Sequence, residues 1–217
     1  MTELQFNEIK ERLAKYREIR HLTYENQRKD FLGNVFEKVS KYFRAKDDLE
    51  RVEALCDIAV FCFNAFDFKY RAVSSNMNCY TFSDAVIYNI YSLFGARTDN
   101  LCLVENENTL YLENHLNLTM FEIEHLCNNL GFDFYKCMLE TIKDIESRTG
   151  YYDKEKGKFI KNDGACNKED LLEKYPISKY SISEDNIHFI IFNKKGHTET
   201  FIKKWYKADY ESCRIEK

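Results

Sequence analysis

The chain has 217 residues, with 32 Lys/Arg against 36 Asp/Glu and a formal charge of −4. That length holds one domain, or one domain with an appendage, around a substantial core. The slight acidity argues against broad nucleic-acid binding, and no stretch approaches the apolar length of a membrane span.

The eight cysteines, at 56, 62, 79, 102, 127, 137, 166 and 213, contain no CxxC pair. Cys56, Cys62, Cys127 and Cys137 sit in apolar helical contexts, where a thiol behaves as a small hydrophobe, so a reduced cytoplasmic chain without a zinc site is expected. The opening MTELQFNEIKERLAKYREIR is charged and amphipathic and does not read as a secretory signal. Aromatic residues make up 15% of the chain and proline occurs once, which favours long helices with bulky packing.

Phe6 to Tyr24 reads as a helix, with Phe6, Ile9, Leu13, Tyr16, Ile19 and His21 or Leu22 along one face. Gly33 is expected to break the pattern. Asn34 to Ala45 is the next helix, placing Val35, Phe36, Val39, Tyr42 and Phe43 at helical spacing. Asp47 and Asp48 then open a helix running towards Phe68, because aspartate caps the amides of a first turn. The short connection between these two helices implies an antiparallel hairpin. Further on, Ser83 to Phe94 reads as a buried helix ended by Gly95, and Arg97 to Asn114 shows no clear periodicity. Thr119 with Glu122 forms a capping box for another helix, closed by Gly131. Phe134 to Arg148 is the last long helix. Beyond Gly150 the chain turns polar and turn-rich. NIHFIIF (Asn186 to Phe192), the turn NKKG and HTETFIKKWY suit a short β-hairpin. His188 and His197 there make only a weak metal pair without cysteine or carboxylate partners.

The chemistry-bearing stretch is DDLERVEALCDIAVFCFNAFDF, Asp47 to Phe68, in which Asp57 lies inside an apolar run. A carboxylate removed from water costs several kcal/mol unless it is paired, hydrogen-bonded or metal-bound, so Asp57 needs a partner. Glu50, Glu53, Asp57 and Asn64 share one side of the helix, and Glu37 of the preceding helix can approach them. Converging carboxylates suit a hard divalent cation. The alternative is that Glu37, Glu50 and Glu53 are solvated and Asp57 pairs with Lys38, Lys41 or a tyrosine hydroxyl.

Clustered acids on one helix, an acid and an aspartate on the next and an asparagine seven residues later resemble the MazG-like all-α nucleoside triphosphate pyrophosphohydrolases. ETIKDIESRTGYYDKEKGKFIK (Glu140 to Lys161) and KWYKADYESC (Lys204 to Cys213) resemble the closing segments of MazG-like proteins of phages and bacteria. The resemblance covers about residues 25–70 and 137–213, with 70–136 as a divergent or inserted section. It implies an all-α helical bundle over 1–150, with an irregular C-terminal extension over 151–217 that contains the short hairpin and an aromatic tail. It also implies a homodimer or homotetramer in the cytoplasm, with a nucleotide ligand, no membrane and no sequence-specific nucleic acid.

The activity so implied is cleavage of a nucleoside triphosphate to monophosphate and pyrophosphate with Mg²⁺ or Mn²⁺. The family's acidic motifs are Glu-Glu-x-x-Glu and Glu-x-x-Asp. Glu37 and Asp57 match, whereas Lys38 and Lys41 replace acids and Ala54 stands one residue after Glu53. The resemblance therefore assigns Glu37, Glu53 and Asp57 to metal and catalysis. Lys38, Lys41, Asn64, Lys143 and Arg148 go to the nucleotide, the last two as phosphate grips. Two lysines in an acidic shell repel a cation, so a catalytically weakened or inactive protein that binds a nucleotide or a protein partner is the alternative. A further one is an interaction protein anchored by Trp205, Tyr206 and Tyr210.

Overall fold

The structure, a computed structural model, describes residues 1–73, 105–155 and 158–216, with the backbone alone for 105–111 and 158. Its contacts divide into one unit of residues 1–141 with 209–217 and a second unit of residues 142–208.

The first unit is helical. Helix α1 (Glu3–Ile19) opens on a capping box between Thr2 and Gln5. It ends where His21 takes a positive φ of 53°, and Thr23 then caps α2 (Tyr24–Arg44). Gly33 is therefore not a breaker but lies inside α2. The break falls ten residues earlier, where Thr23-x-x-Asn26 makes a reciprocal cap that lacks the usual Glu or Gln. Helix α3 (Asp48–Ala65) starts on Asp47, whose carboxylate accepts from the Glu50 amide at 2.9 Å. Its run from Ala54 to Ala65 is buried apart from Asp57 and Phe61. Phe6, Ile9 and Leu13 of α1 are fully buried, and the Phe6 ring meets Phe63 and Phe68 at 5.0 and 5.2 Å.

Helix α4 (Glu105–Asn129) begins before Thr119, whose hydroxyl instead donates back to the His115 carbonyl at 2.9 Å. Gly131, at φ 85°, turns the chain out of α4, and the Asp133 side chain caps α5 (Phe134–Ser147). The expected helix Ser83 to Phe94 lies outside the described residues. The tail returns to this unit. Asp133 N–H donates to the Cys213 carbonyl, Ile215 N–H to the Gly131 carbonyl, and the buried Tyr210 hydroxyl meets that of Thr141 at 2.9 Å.

The second unit overturns the expectation of an all-α bundle with one hairpin. From Gly150 onward, six strands form two sheets among the described residues. Strand β1 (Gly150–Asp153) pairs antiparallel with β2 (Lys158–Lys161). The four-stranded sheet has the order β3-β6-β5-β4, built from β3 (Gly164–Ala165), β4 (Tyr180–Glu184), β5 (His188–Asn193) and β6 (Thr198–Lys204). The β5–β6 hairpin lies where the sequence places it. The other strands are two to five residues long and mostly polar, so their alternation is too short to stand out. Phe189, Ile191 and Ile202 pack on Ala165 and Leu171 beneath one face. Gly164 is required there, since a Cβ would overlap the Trp205 indole. Among the described residues no helix is long and apolar enough to cross a membrane.

Candidate functional site

The α2–α3 hairpin brings four of the predicted charged residues into two ion pairs. Lys38 Nζ lies 3.4 Å from Asp57 Oδ2, and Lys41 Nζ lies 2.8 Å from Glu53 Oε1. Lys38 also donates to Glu37 Oε1 at 3.2 Å. Spacing explains the seam. Lys38 and Lys41 are three apart on α2, Glu53 and Asp57 are four apart on α3, and the two rows face each other across an antiparallel contact.

Depth differs along the seam. The Asp57 and Lys38 side chains are 21% and 20% exposed, whereas Glu53 is 45% and Glu37 71% exposed. Burial raises the Asp57 carboxyl to about 6, against the opposing pull of the Lys38 and Lys41 ammonium groups and with help from the Glu53 charge. For Lys38, burial alone would lower the ammonium, but Asp57 and Glu37 outweigh it and hold it above its ordinary value. Glu50 turns away to accept from the Lys46 amide at 2.9 Å.

Asn64 is placed differently. It is buried at the end of α3, where its Oδ1 accepts from Arg17 Nη1 at 3.1 Å. The same guanidinium donates to the Phe63 carbonyl at 2.9 Å and to the Tyr24 hydroxyl at 2.9 Å. It thus occupies the negative end of the α3 dipole and closes a carbonyl that the helix leaves open. Burial lowers the Arg17 pKa, opposed by Tyr24 and Asp67. Lys143 and Arg148 belong to the second unit. There Lys143 is exposed, and Arg148 Nη2 is held by Asp144 at 2.6 Å with its guanidinium over the Trp205 ring. His188 pairs across the sheet with Lys203, whereas His197 sits at the β5–β6 turn, so the two do not face each other.

Two participants were not legible beforehand. Arg17 continues the buried face Phe6, Ile9, Leu13 at the next helical step, where the sequence pattern places Tyr16. Tyr210 is buried near the seam: burial raises its phenol well above the ordinary value, and the Asp57 and Glu53 charges add to that shift. Tyr210 is therefore a core residue and not an exposed anchor.

The acids do not fit a bound divalent cation as they stand. All three have an ammonium group within 3.4 Å, Glu37 is in addition largely solvated, and no group of three or more His, Cys, Asp or Glu among the described residues could hold a metal ion. Three carboxylates and two ammonium groups instead make a nearly neutral seam, with its cations in place. Comparison of the chain with protein-family models, curated proteins and solved structures finds no match to any of them.

Proposed function

We propose that the chain is a MazG-like nucleotide-binding protein of the cytoplasm. In this reading the α2–α3 seam takes the phosphates of a nucleoside triphosphate on Lys38 and Lys41, and hydrolysis is weak or lost. The observation that carries it is the pairing of Lys38 with Asp57 and of Lys41 with Glu53. A polyphosphate can compete for those ammonium groups. Ion pairs as exposed as Lys41–Glu53 contribute roughly 0–1 kcal/mol, whereas a bound phosphate offers several charged acceptor oxygens. No step is assigned to water activation, because that needs a cation or a free base where the lysines lie.

The second reading, Mg²⁺- or Mn²⁺-dependent cleavage to monophosphate and pyrophosphate, is favoured by Asp57 lying within a helix that is buried along most of its length. It requires the metal to displace both lysines. Calorimetric titration with nucleoside triphosphates, with and without Mg²⁺, tests the first. Lys41→Gln, a change on the rim of the seam, is expected to weaken binding about tenfold, or 1.4 kcal/mol. Unchanged affinity in Lys41→Gln, or no binding by the native chain, overturns the proposal. Pyrophosphate release that Asp57→Asn abolishes establishes the second reading instead.

A further inference from the structure

The helical unit carries a row of thiols that the seam does not use. Cys56 of α3, Cys127 of α4, Cys137 of α5 and Cys213 of the returning tail are all free and at most 2% exposed. The Cys56 thiol is within hydrogen-bonding reach of the Cys127 and Cys137 thiols, and the Cys137 thiol is also within reach of the Cys213 thiol. Elements distant in sequence thus meet sulfur to sulfur, whereas a thiol that serves only as a small hydrophobe needs apolar neighbours and no other thiol. The row does not close round one point, since no group of three His, Cys, Asp or Glu among the described residues could hold a metal ion. The chemistry open to it is therefore pairwise.

Cys137 has two thiol neighbours, and the backbone decides between them. Cys56 and Cys137 lie on two long helices, which cannot shift towards each other without disturbing the packed core around them. Cys213 ends the short turn Glu211–Cys213, and its carbonyl accepts from the Asp133 amide at 2.9 Å. The Asp133 carbonyl in turn accepts from the Cys137 amide at 3.0 Å. The tail so runs beside the start of α5, and a short segment adapts to disulfide geometry more readily than two packed helices do. It also controls access. Burial pushes the Cys213 thiol up to about 12, which keeps it protonated and inert while the tail is seated. The tail is held by the Tyr210–Thr141 hydroxyl contact at 2.9 Å and by backbone bonds to Gly131 and Asp133. When these open, Cys213 regains an ordinary thiol and Cys137 is uncovered behind it.

We propose that Cys137 and Cys213 are an oxidation site, closing a disulfide that staples the tail to α5. The oxidant is a small-molecule disulfide of the glutathione class. The Cys213 thiolate attacks one sulfur of that disulfide and expels the other as a thiol. Cys137 then gives up its proton, attacks the Cys213 sulfur of the mixed disulfide and expels the second thiol. Two cysteine thiols are oxidised to one disulfide, and the oxidant is reduced to two thiols that carry the protons. Cys56 and Cys127 stay reduced. In a reducing compartment the bond is transient, so it registers oxidant instead of bracing the fold permanently. The site is independent of whether the seam takes a nucleotide.

The test exposes the native chain, under folding conditions, to excess oxidised glutathione, then unfolds it, alkylates the remaining thiols and maps the peptides by mass spectrometry without reduction. One linked pair containing Cys137 and Cys213 is expected, with Cys56 and Cys127 alkylated. Cys213→Ser, checked for folding by circular dichroism, forms no linked pair. Tyr210→Phe removes one bond that seats the tail and speeds linkage about fivefold, as the loss of one hydrogen bond gives. A native chain whose thiols all remain alkylated, a disulfide that joins either cysteine to another partner, or a rate indifferent to Tyr210→Phe overturns the assignment.

Discussion

Asp57 sets the energetics of the seam. Its carboxyl titrates near 6 when folded against 3.8 as its ordinary value, so the folded chain binds this proton more tightly than the unfolded one. The resulting stability is fully present below pH 3.8 and is lost as the pH rises through 6, by up to about 3 kcal/mol. Asp57→Asn removes that dependence. Urea unfolding at pH 4.5 and pH 7.5 is expected to show the native chain losing stability relative to Asp57→Asn as the pH rises; parallel behaviour of the two places Asp57 in solvent. Arg17 is the counterpart at the other end of α3. Arg17→Ala strands the Phe63 carbonyl, Asn64 and the Tyr24 hydroxyl, and about 2–4 kcal/mol of stability should go with it in the same unfolding assay. A loss below 0.5 kcal/mol would mean that water replaces the guanidinium.

Among the elements, Gly164 illustrates how one small residue holds a sheet edge. Gly164→Ala forces a methyl group into the Trp205 indole, and thermal unfolding of the variant should report a loss of about 1–3 kcal/mol, with a shift in Trp205 fluorescence. An unchanged midpoint and spectrum would show that the ring swings away freely. The sequence made α3 readable because an aspartate cap and a long apolar run agree there, and α5 because its helical period runs up to Gly150. Helix α2 was half legible. Its apolar period was visible, but glycine was read as a stop, whereas one glycine costs less than the turns of helix on either side restore. The sheet around β5 was hidden for a different reason. Strands such as Gly164–Ala165 and Tyr180–Glu184 acquire their order from partners distant in sequence, and no local period marks them. In the seam, the need of Asp57 for a partner followed from its burial, and Lys38 was among the groups that could supply it. Tyr210 was beyond reach, since only the returning tail brings it to α3.

At the scale of the molecule, each unit has its own core, and the helical unit is completed by residues 209–217. Truncation after Ala208 removes the buried Tyr210 and Cys213 and uncovers Phe132 and Cys137. Its helical unit should unfold at a midpoint lower by about 1 M guanidinium, as a loss of a few kcal/mol gives, or fail to fold. Tyr210→Phe, which keeps the ring and drops one hydrogen bond, should cost only about 1 kcal/mol. If both behave like the native chain, the tail is not part of the core. The functional account rests on ammonium groups occupying the place between α2 and α3 that a divalent cation would need. Phosphorus NMR of nucleoside triphosphates mixed with stoichiometric protein and Mg²⁺ tests it most directly. The account predicts shifted phosphate resonances, weakened by Lys41→Gln, with no pyrophosphate signal over hours. A growing pyrophosphate signal that Asp57→Asn eliminates would contradict it.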